Sequence, residues 1–259
     1  MPIETIRGEP FNIRIDGPDD APALLLSNSL GTNLSMWDPQ IAAWSQRFRV
    51  IRYDSRGHGQ SVASDTPFAI ADLGADALAI LDHLGVARAH WCGLSKGGMV
   101  GQWVATHARH RFDRIVLANT AARMGPPDLW NGRIRAVRSQ GMAALVQPTL
   151  ERWFSPGFRE NQAAAVAKIS EMLKTTPAVG YATCCAAIRD MDQRWSIRSI
   201  ANPVLVVIGK VDPATPPAAG HLIADAIPGA QRLELDAAHL SNLEQPQAFT
   251  QAVLDFLTA

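Results

Sequence analysis

The hexapeptide Gly93-Leu94-Ser95-Lys96-Gly97-Gly98 limits what this chain can fold into more than any other segment. It stands directly after His90–Leu94 (HWCGL), a short run that reads as a buried strand, and directly before a stretch that reads as a helix from about Gly97 to His110. A strand that turns abruptly into a helix forces strained dihedrals on the apex residue, and only small neighbours let the two segments come so close. The apex side chain, Ser95, then projects beyond the sheet edge. Behind it lies a helix N-terminus whose free N–H groups can meet developing negative charge. G-x-S-x-G in that setting predicts an activated serine nucleophile.

The rest of the chain supplies a sheet for such an elbow. Short apolar runs read as strands at Ala23–Ser29, Phe48–Asp54, Arg114–Asn119, Val204–Gly209 and Arg232–Leu235. Amphipathic stretches lie between them, which is the rhythm of an α/β fold with a mainly parallel sheet flanked by helices. The clearest helix is Ile70–Leu84, with Ile70, Leu73, Ala77, Ile80, Leu81 and Leu84 on one stripe. Asp65, Asp72 and Asp76 sit towards its start, where the helix dipole favours them, and Gly85 is placed as the C-cap. Further helices are expected over Pro217–Ile227 and Gln247–Leu257. The rhythm stops between Ala121 and Trp195, where no strand-like run occurs. Short helices punctuated by Pro126–Pro127, Pro148, Pro156–Gly157 and Pro177 are expected there. The predicted organisation is a core domain of residues 1–120 and 196–259, with 121–195 inserted as a helical cap.

Composition narrows the function classes. The 259 residues carry 24 Lys+Arg against 24 Asp+Glu, a balance that argues against a nucleic-acid partner. No apolar run approaches the ~18 residues of a membrane span. The start, MPIETIRGEPF, lacks the pattern of a signal peptide. Three cysteines, two of them adjacent, make no disulfide framework and lack metal-ligand spacing, so a reduced cytoplasmic protein is expected. Within 121–195, ten Lys+Arg face six Asp+Glu, so the cap is basic and the core correspondingly acidic. A basic lid favours an anionic substrate.

A serine needs a base, and seven histidines are available. His58 lies in a turn after a strand, His90 opens a strand, and His83, His107, His110 and His221 fall in helices. His239 alone follows the last strand in a loop, Asp236–Asn242, at the sheet edge where sites are built. The acid that orients it is predicted to be Asp212, just beyond the Val204–Gly209 strand, with Asp236 and Asp54 as rivals. For the oxyanion hole, one donor is the amide of Lys96. The other is assigned to Leu30, in the loop after the Ala23–Ser29 strand. No nucleotide-binding glycine motif or metal signature is present, so neither cofactor nor metal is expected.

These residues resemble the α/β-hydrolase superfamily, whose chain order of nucleophile, acid and base matches Ser95, Asp212 and His239. The sequence is more particularly similar to the bacterial 3-oxoadipate enol-lactonases of aromatic catabolism. Segments 27–40 (SNSLGTNLSMWDPQ), 52–61 (RYDSRGHGQS), 93–103 (GLSKGGMVGQW) and 118–130 (ANTAARMGPPDLW) carry the likeness. Segments 180–192 (GYATCCAAIRDMD), 212–217 (DPATPP) and 235–250 (LDAAHLSNLEQPQAFT) complete it. The resemblance implies hydrolysis of β-ketoadipate enol-lactone to 3-oxoadipate, without a cofactor. Because that lactone is a carboxylate, a cap arginine should pair with it, and Trp130 and Arg133 are the expected contacts, with Arg135 and Arg138 as alternatives. The family commonly has Met where this chain has Lys96. Its ammonium either favours an anion beside the nucleophile or points to solvent. A general esterase or perhydrolase acting on small neutral esters is the competing enzyme reading, and a non-catalytic binding module the remote one.

Overall fold

In the computed structural model, which describes residues 3–259, the chain begins with a hairpin of β1 (Ile3–Ile6) and β2 (Glu9–Asp16). Arg7 and Gly8 at its tip have φ of 53° and 84°, the two positive values that a tight hairpin turn matching strand twist requires. Neither strand was expected, because continuous apolar runs mark strands buried on both faces, whereas β2 buries one. Phe11 and Ile13 face the core while their neighbours stay polar.

The six expected strands are all present: β3 (Ala23–Ser27), β4 (Arg49–Tyr53), β5 (Ala89–Leu94), β6 (Phe112–Ala118), β7 (Val204–Gly209) and β8 (Gln231–Leu235). One sheet results, in the order β1-β2-β4-β3-β5-β6-β7-β8. The β2–β4 pair is antiparallel, and every pair from β4 onward is parallel. The parallel strands therefore deliver their carboxyl ends to one edge, and each loop leaving that edge can contribute a side chain to one site.

Helices cover the sheet. α1 (Asp38–Trp44), not expected from the sequence, follows a 3-10 turn at Leu34–Trp37, and its Trp44 meets Trp37 at 6.1 Å between ring centroids. α2 (Ile70–His83) buries the predicted stripe from Ile70 to Leu81, while Leu84 falls at the C-cap and is half-buried. Gly85, at φ 65°, ends it, with the Val86 amide donating back to the Leu81 carbonyl at 2.8 Å. The acidic residues do not act as a group. Asp65 lies in the preceding loop, Asp72 accepts from the Ala69 amide, and buried Asp76 holds Arg56 through two 2.7 Å bonds. α3 (Lys96–His107) stops three residues before the expected end, and His110 falls in a separate 3-10 turn.

Between β6 and β7 the chain makes five helices: α4 (Pro127–Gln140), α5 (Ala143–Trp153), α6 (Pro156–Asn161), α7 (Ala163–Thr175) and α8 (Ala178–Asp190). Pro148 lies inside α5 rather than between helices. The two ends of the excursion are tied together by an isolated bridge between Arg123 and Asp192 and by the Gln193 amide donating to the Ala122 carbonyl at 2.7 Å. α8 touches the core backbone to backbone. A Cβ on Gly180 would stand 2.4 Å from Gly57 Cα, so only glycines permit this contact. α9 (Pro217–Ala226), α10 (Ser241–Glu244) and α11 (Pro246–Thr258) complete the fold. Among the described residues, no helix is long and apolar enough to cross a membrane. Residues 1 and 2, part of the expected core segment, lie outside the described residues.

Candidate active site

Ser95 stands between β5 and α3 at φ 58° and ψ −114°, the strained apex that the motif predicts. The glycines around it are steric necessities. A Cβ on Gly93 would sit 2.2 Å from the Gly97 carbonyl oxygen, one on Gly97 2.0 Å from the Ser27 oxygen, and one on Gly98 2.6 Å from Thr120 Cβ. Three further bonds hold the elbow. The Ser95 amide donates to Ala118 O at 2.8 Å, Thr120 Oγ1 to Ser95 O at 2.7 Å, and the Gly97 amide to Asn28 O at 3.1 Å. The strain is thus over-determined by its surroundings, which is the condition for keeping it.

Asp212 and His239 meet at the same edge. His239 Nδ1 lies 2.8 Å from Asp212 Oδ2, and both residues are 2% exposed. Asp212 receives four other donations: Ala214 N at 2.8 Å, Thr215 N at 2.9 Å, Thr215 Oγ1 at 2.7 Å and Asn119 Nδ2 at 3.1 Å. Burial alone would raise this carboxyl. The His239 charge and hydrogen bond, with the Thr215 donations, outweigh it and hold the group below its usual range. An ionised Asp212 accepts a hydrogen bond from Nδ1–H, which fixes the tautomer and leaves Nε2 as the basic nitrogen. The rivals do not reach His239. Asp54 is occupied by the Leu34 and Gln60 amides and by Asn12 Nδ2, while Asp236 is an exposed partner of Lys210 at 2.9 Å. Ser95 Oγ and His239 make no hydrogen bond, a contact that commonly tightens only once substrate is bound.

The amides of Leu30 and Lys96 have no acceptor among the described residues. Lys96 begins α3 and so lacks an intrahelical partner, and Leu30 lies between β3 and the 3-10 turn. The Lys96 side chain does not point to solvent. It is fully buried, and its Nζ finds no partner. Burial lowers its basicity, opposed by Cys184 and the Asp54 carboxylate, and its charge adds to the burial that pushes His58 well below the usual histidine range.

In α4, Trp130 is buried and Arg133 lies over its ring at 4.8 Å, so the two expected substrate contacts touch each other. Arg138 is engaged elsewhere, with Asp65, and Arg135 is exposed. Sequence reasoning missed the residues that position the others. Asn119, at φ 44°, joins Asp212 to the Ala238 carbonyl. Trp153, at the end of α5, accepts from the His239 and Leu240 amides at 3.1 and 3.2 Å and lies 5.9 Å from the imidazole ring. Glu244 binds both Ser155, which caps α6, and the Ala238 amide. An Asn tolerates a left-handed backbone, so Asn119 at a strand end carried a local signal. The others are pairings across the fold with none. Among the described residues, no three His, Cys, Asp or Glu side chains gather as a metal site would need.

The α/β hydrolase fold model matches residues 22–246. The chain is 45% identical to 3-oxoadipate enol-lactonase 2 of Acinetobacter baylyi, over 94% of this chain and 91% of that one. It is 41% identical to 3-oxoadipate enol-lactonase 1 of the same organism, over 98% and 96%. Among solved structures, the enol-lactonase from Burkholderia xenovorans LB400 superposes with a TM-score of 0.98 at 45% identity, covering both chains completely. An elbow serine, an Asp–His pair and a mainly parallel sheet, matched over nearly the full length, place this chain in the α/β-hydrolase family.

Proposed function

We propose that the chain is a 3-oxoadipate enol-lactonase, with Ser95 as nucleophile, His239 as base and Asp212 as its orienting acid. The observation that carries this reading is geometric: a strained serine, a buried Asp–His pair and two unengaged amides share one edge of the sheet. The likeness, over nearly the full length, to proteins named enol-lactonase supports the substrate.

Ser95 Oγ attacks the lactone carbonyl carbon while His239 Nε2 takes its proton. The amides of Leu30 and Lys96 donate to the tetrahedral oxyanion. As it collapses, the ring C–O bond breaks, the enol oxygen leaves with the proton from His239, and the enol becomes the ketone. Water, deprotonated by His239, then attacks the acyl-serine, and the acid departs as Ser95 regains its proton. Trp130 and Arg133 would hold the free carboxylate, with 121–195 as the cap over a core of 1–120 and 196–259. Three unpaired thiols, at Cys92, Cys184 and Cys185, fit a reducing, cytoplasmic setting.

The test is loss of enol-lactone absorbance with purified protein, beside p-nitrophenyl acetate as a neutral control. A kcat/KM advantage of orders of magnitude for the lactone supports the assignment. Preference for the neutral ester removes the lactonase reading and leaves a small-ester esterase.

A further inference from the structure

The cap's ten cationic side chains divide in two by their partners. Arg123, Arg138, Lys168, Arg189 and Arg194 each have a carboxylate at salt-bridge distance. Among the described residues, Arg133 and Arg152 have none, although both are half-buried. Arg135 and Lys174 also lack an acid, but they are exposed and water serves them. Arg159, on α6, is half-buried without an acid too, and its Nε finds no partner. Holding guanidinium groups away from water without a counter-charge is unfavourable, and an anion arriving from outside relieves it.

Arg152 is next in sequence to a residue that touches His239. Its neighbour Trp153 lies against the His239 ring and accepts that residue's amide. Buried Tyr181, on α8, packs on the loop that carries the Leu30 amide: a Cβ on Gly31 would stand 3.2 Å from the Tyr181 ring. α4, which carries Arg133, packs against α5, which carries Arg152, and the charges of both bear on the Tyr181 phenol. Burial, and then the charge of Arg133, lower the basicity of Arg152, yet a guanidinium stays protonated, so the pair remains doubly positive. Arg152 Nε donates to its own helix at Pro148 O, 3.1 Å away, which fixes the stem and leaves both terminal nitrogens free.

We propose that Arg152 joins Arg133 in a two-guanidinium receptor for the carboxylate of the substrate and product, making Arg152 a specificity-determining residue that sequence reasoning did not single out. A bidentate fork from each side suits a carboxylate better than one surface cation does. The proposal rests on the lactonase reading for its substrate, but its core claim, recognition of a small carboxylate, can be tested without the lactone.

The probe is adipate, a six-carbon dicarboxylate, as a competitive inhibitor of p-nitrophenyl acetate hydrolysis. In Arg152→Gln the adipate Ki rises at least tenfold, and the loss in kcat/KM for the lactone exceeds that for the neutral ester at least tenfold. Arg152→Lys, which keeps the charge without the fork, falls between; it carries the test alone, at a threefold threshold, if the glutamine variant fails to fold by circular dichroism. Lys174→Gln removes an equal charge from an exposed site of the cap and leaves the adipate Ki within twofold. Three results overturn the proposal: wild-type protein that adipate does not inhibit, a Ki indifferent to Arg152, or equal losses for adipate and the neutral ester. If the wild type ignores the lactone while adipate inhibition still depends on Arg152, the lactonase reading fails and the carboxylate receptor stands.

Discussion

Replacing Lys96 by Met should stabilise this protein, against the usual direction of changes at fully buried positions. The Lys96 ammonium is sealed from water, and its Nζ finds no hydrogen-bond partner. Neighbouring His58 is also buried, with Nε2 unpartnered and its ring held neutral, and the Asp54 carboxylate already serves three N–H donors. An unsatisfied buried polar group costs about 1–3 kcal/mol. Methionine follows much the same path but is one heavy atom shorter, and a void of that size costs up to about 1 kcal/mol. Relief offsets or outweighs the void, for a net gain of up to about 2–3 kcal/mol; at about 2–4 °C per kcal/mol the melting temperature rises by up to several degrees.

The pH dependence makes the test specific. Lys96 is less basic folded than unfolded, so between its folded value and about 10.4 the unfolded state binds more protons and wild-type stability climbs with pH. The charge penalty is full below the folded value and absent once both states are neutral. The advantage of Lys96→Met must therefore shrink as pH rises through that window. Calorimetric melts of both proteins at pH 7 and pH 10 measure it. A variant that melts lower at pH 7, or a gap that does not narrow at pH 10, refutes the description of Lys96 as an unpaired buried amine.

Other outcomes follow from the same contacts. Ser95→Ala should abolish turnover and fluorophosphonate labelling with the melting temperature little changed; residual labelling at wild-type rate would remove Ser95 as nucleophile. Asp212→Asn should lower kcat about 10⁴-fold, because the amide favours the wrong imidazole tautomer, and a loss under tenfold would sink the orienting role. Since the folded state holds Asp212 below its usual range, its stabilising share is full above about pH 3.9 and disappears as pH falls through the folded value, so acid melts of Asp212→Asn should show a shallower decline. Glu244→Ala removes the acceptor shared by Ser155 and the Ala238 amide and should cost about 1–3 kcal/mol; an unchanged melting temperature would show that the cap and the histidine loop hold together without it.

The local elements of this fold were written in the chain because their causes are local. A fully apolar run such as Val204–Gly209 can only be a strand buried on both faces, and the 3.6-residue stripe from Ile70 to Leu81 can only be an amphipathic helix. Gly93, Ser95 and Gly97 encode a turn in which every added Cβ would collide, so the elbow was legible from five residues. The β1–β2 hairpin was equally present, in the alternation of Phe11, Ile13 and Ile15, but it asks for a period of two rather than a continuous run.

What no local pattern contained is which distant groups meet, and which do not. Three aspartates stood as candidates for His239; the fold spends Asp54 on backbone amides, leaves Asp236 in solvent, and brings Asp212 to 2.8 Å. Lys96 has the composition of a surface residue, and only the packing of the Asp54–Gly59 turn and α8 over it removes the water. The cationic residues of 121–195 are alike in sequence, and the fold pairs Arg123, Arg138, Lys168, Arg189 and Arg194 with acids while leaving Arg133, Arg152 and Arg159 half-buried without one. Sterics and periodicity act over a few residues and so can be read in order along the chain. Electrostatic pairing and desolvation act through space, and they are fixed only when the chain has closed on itself.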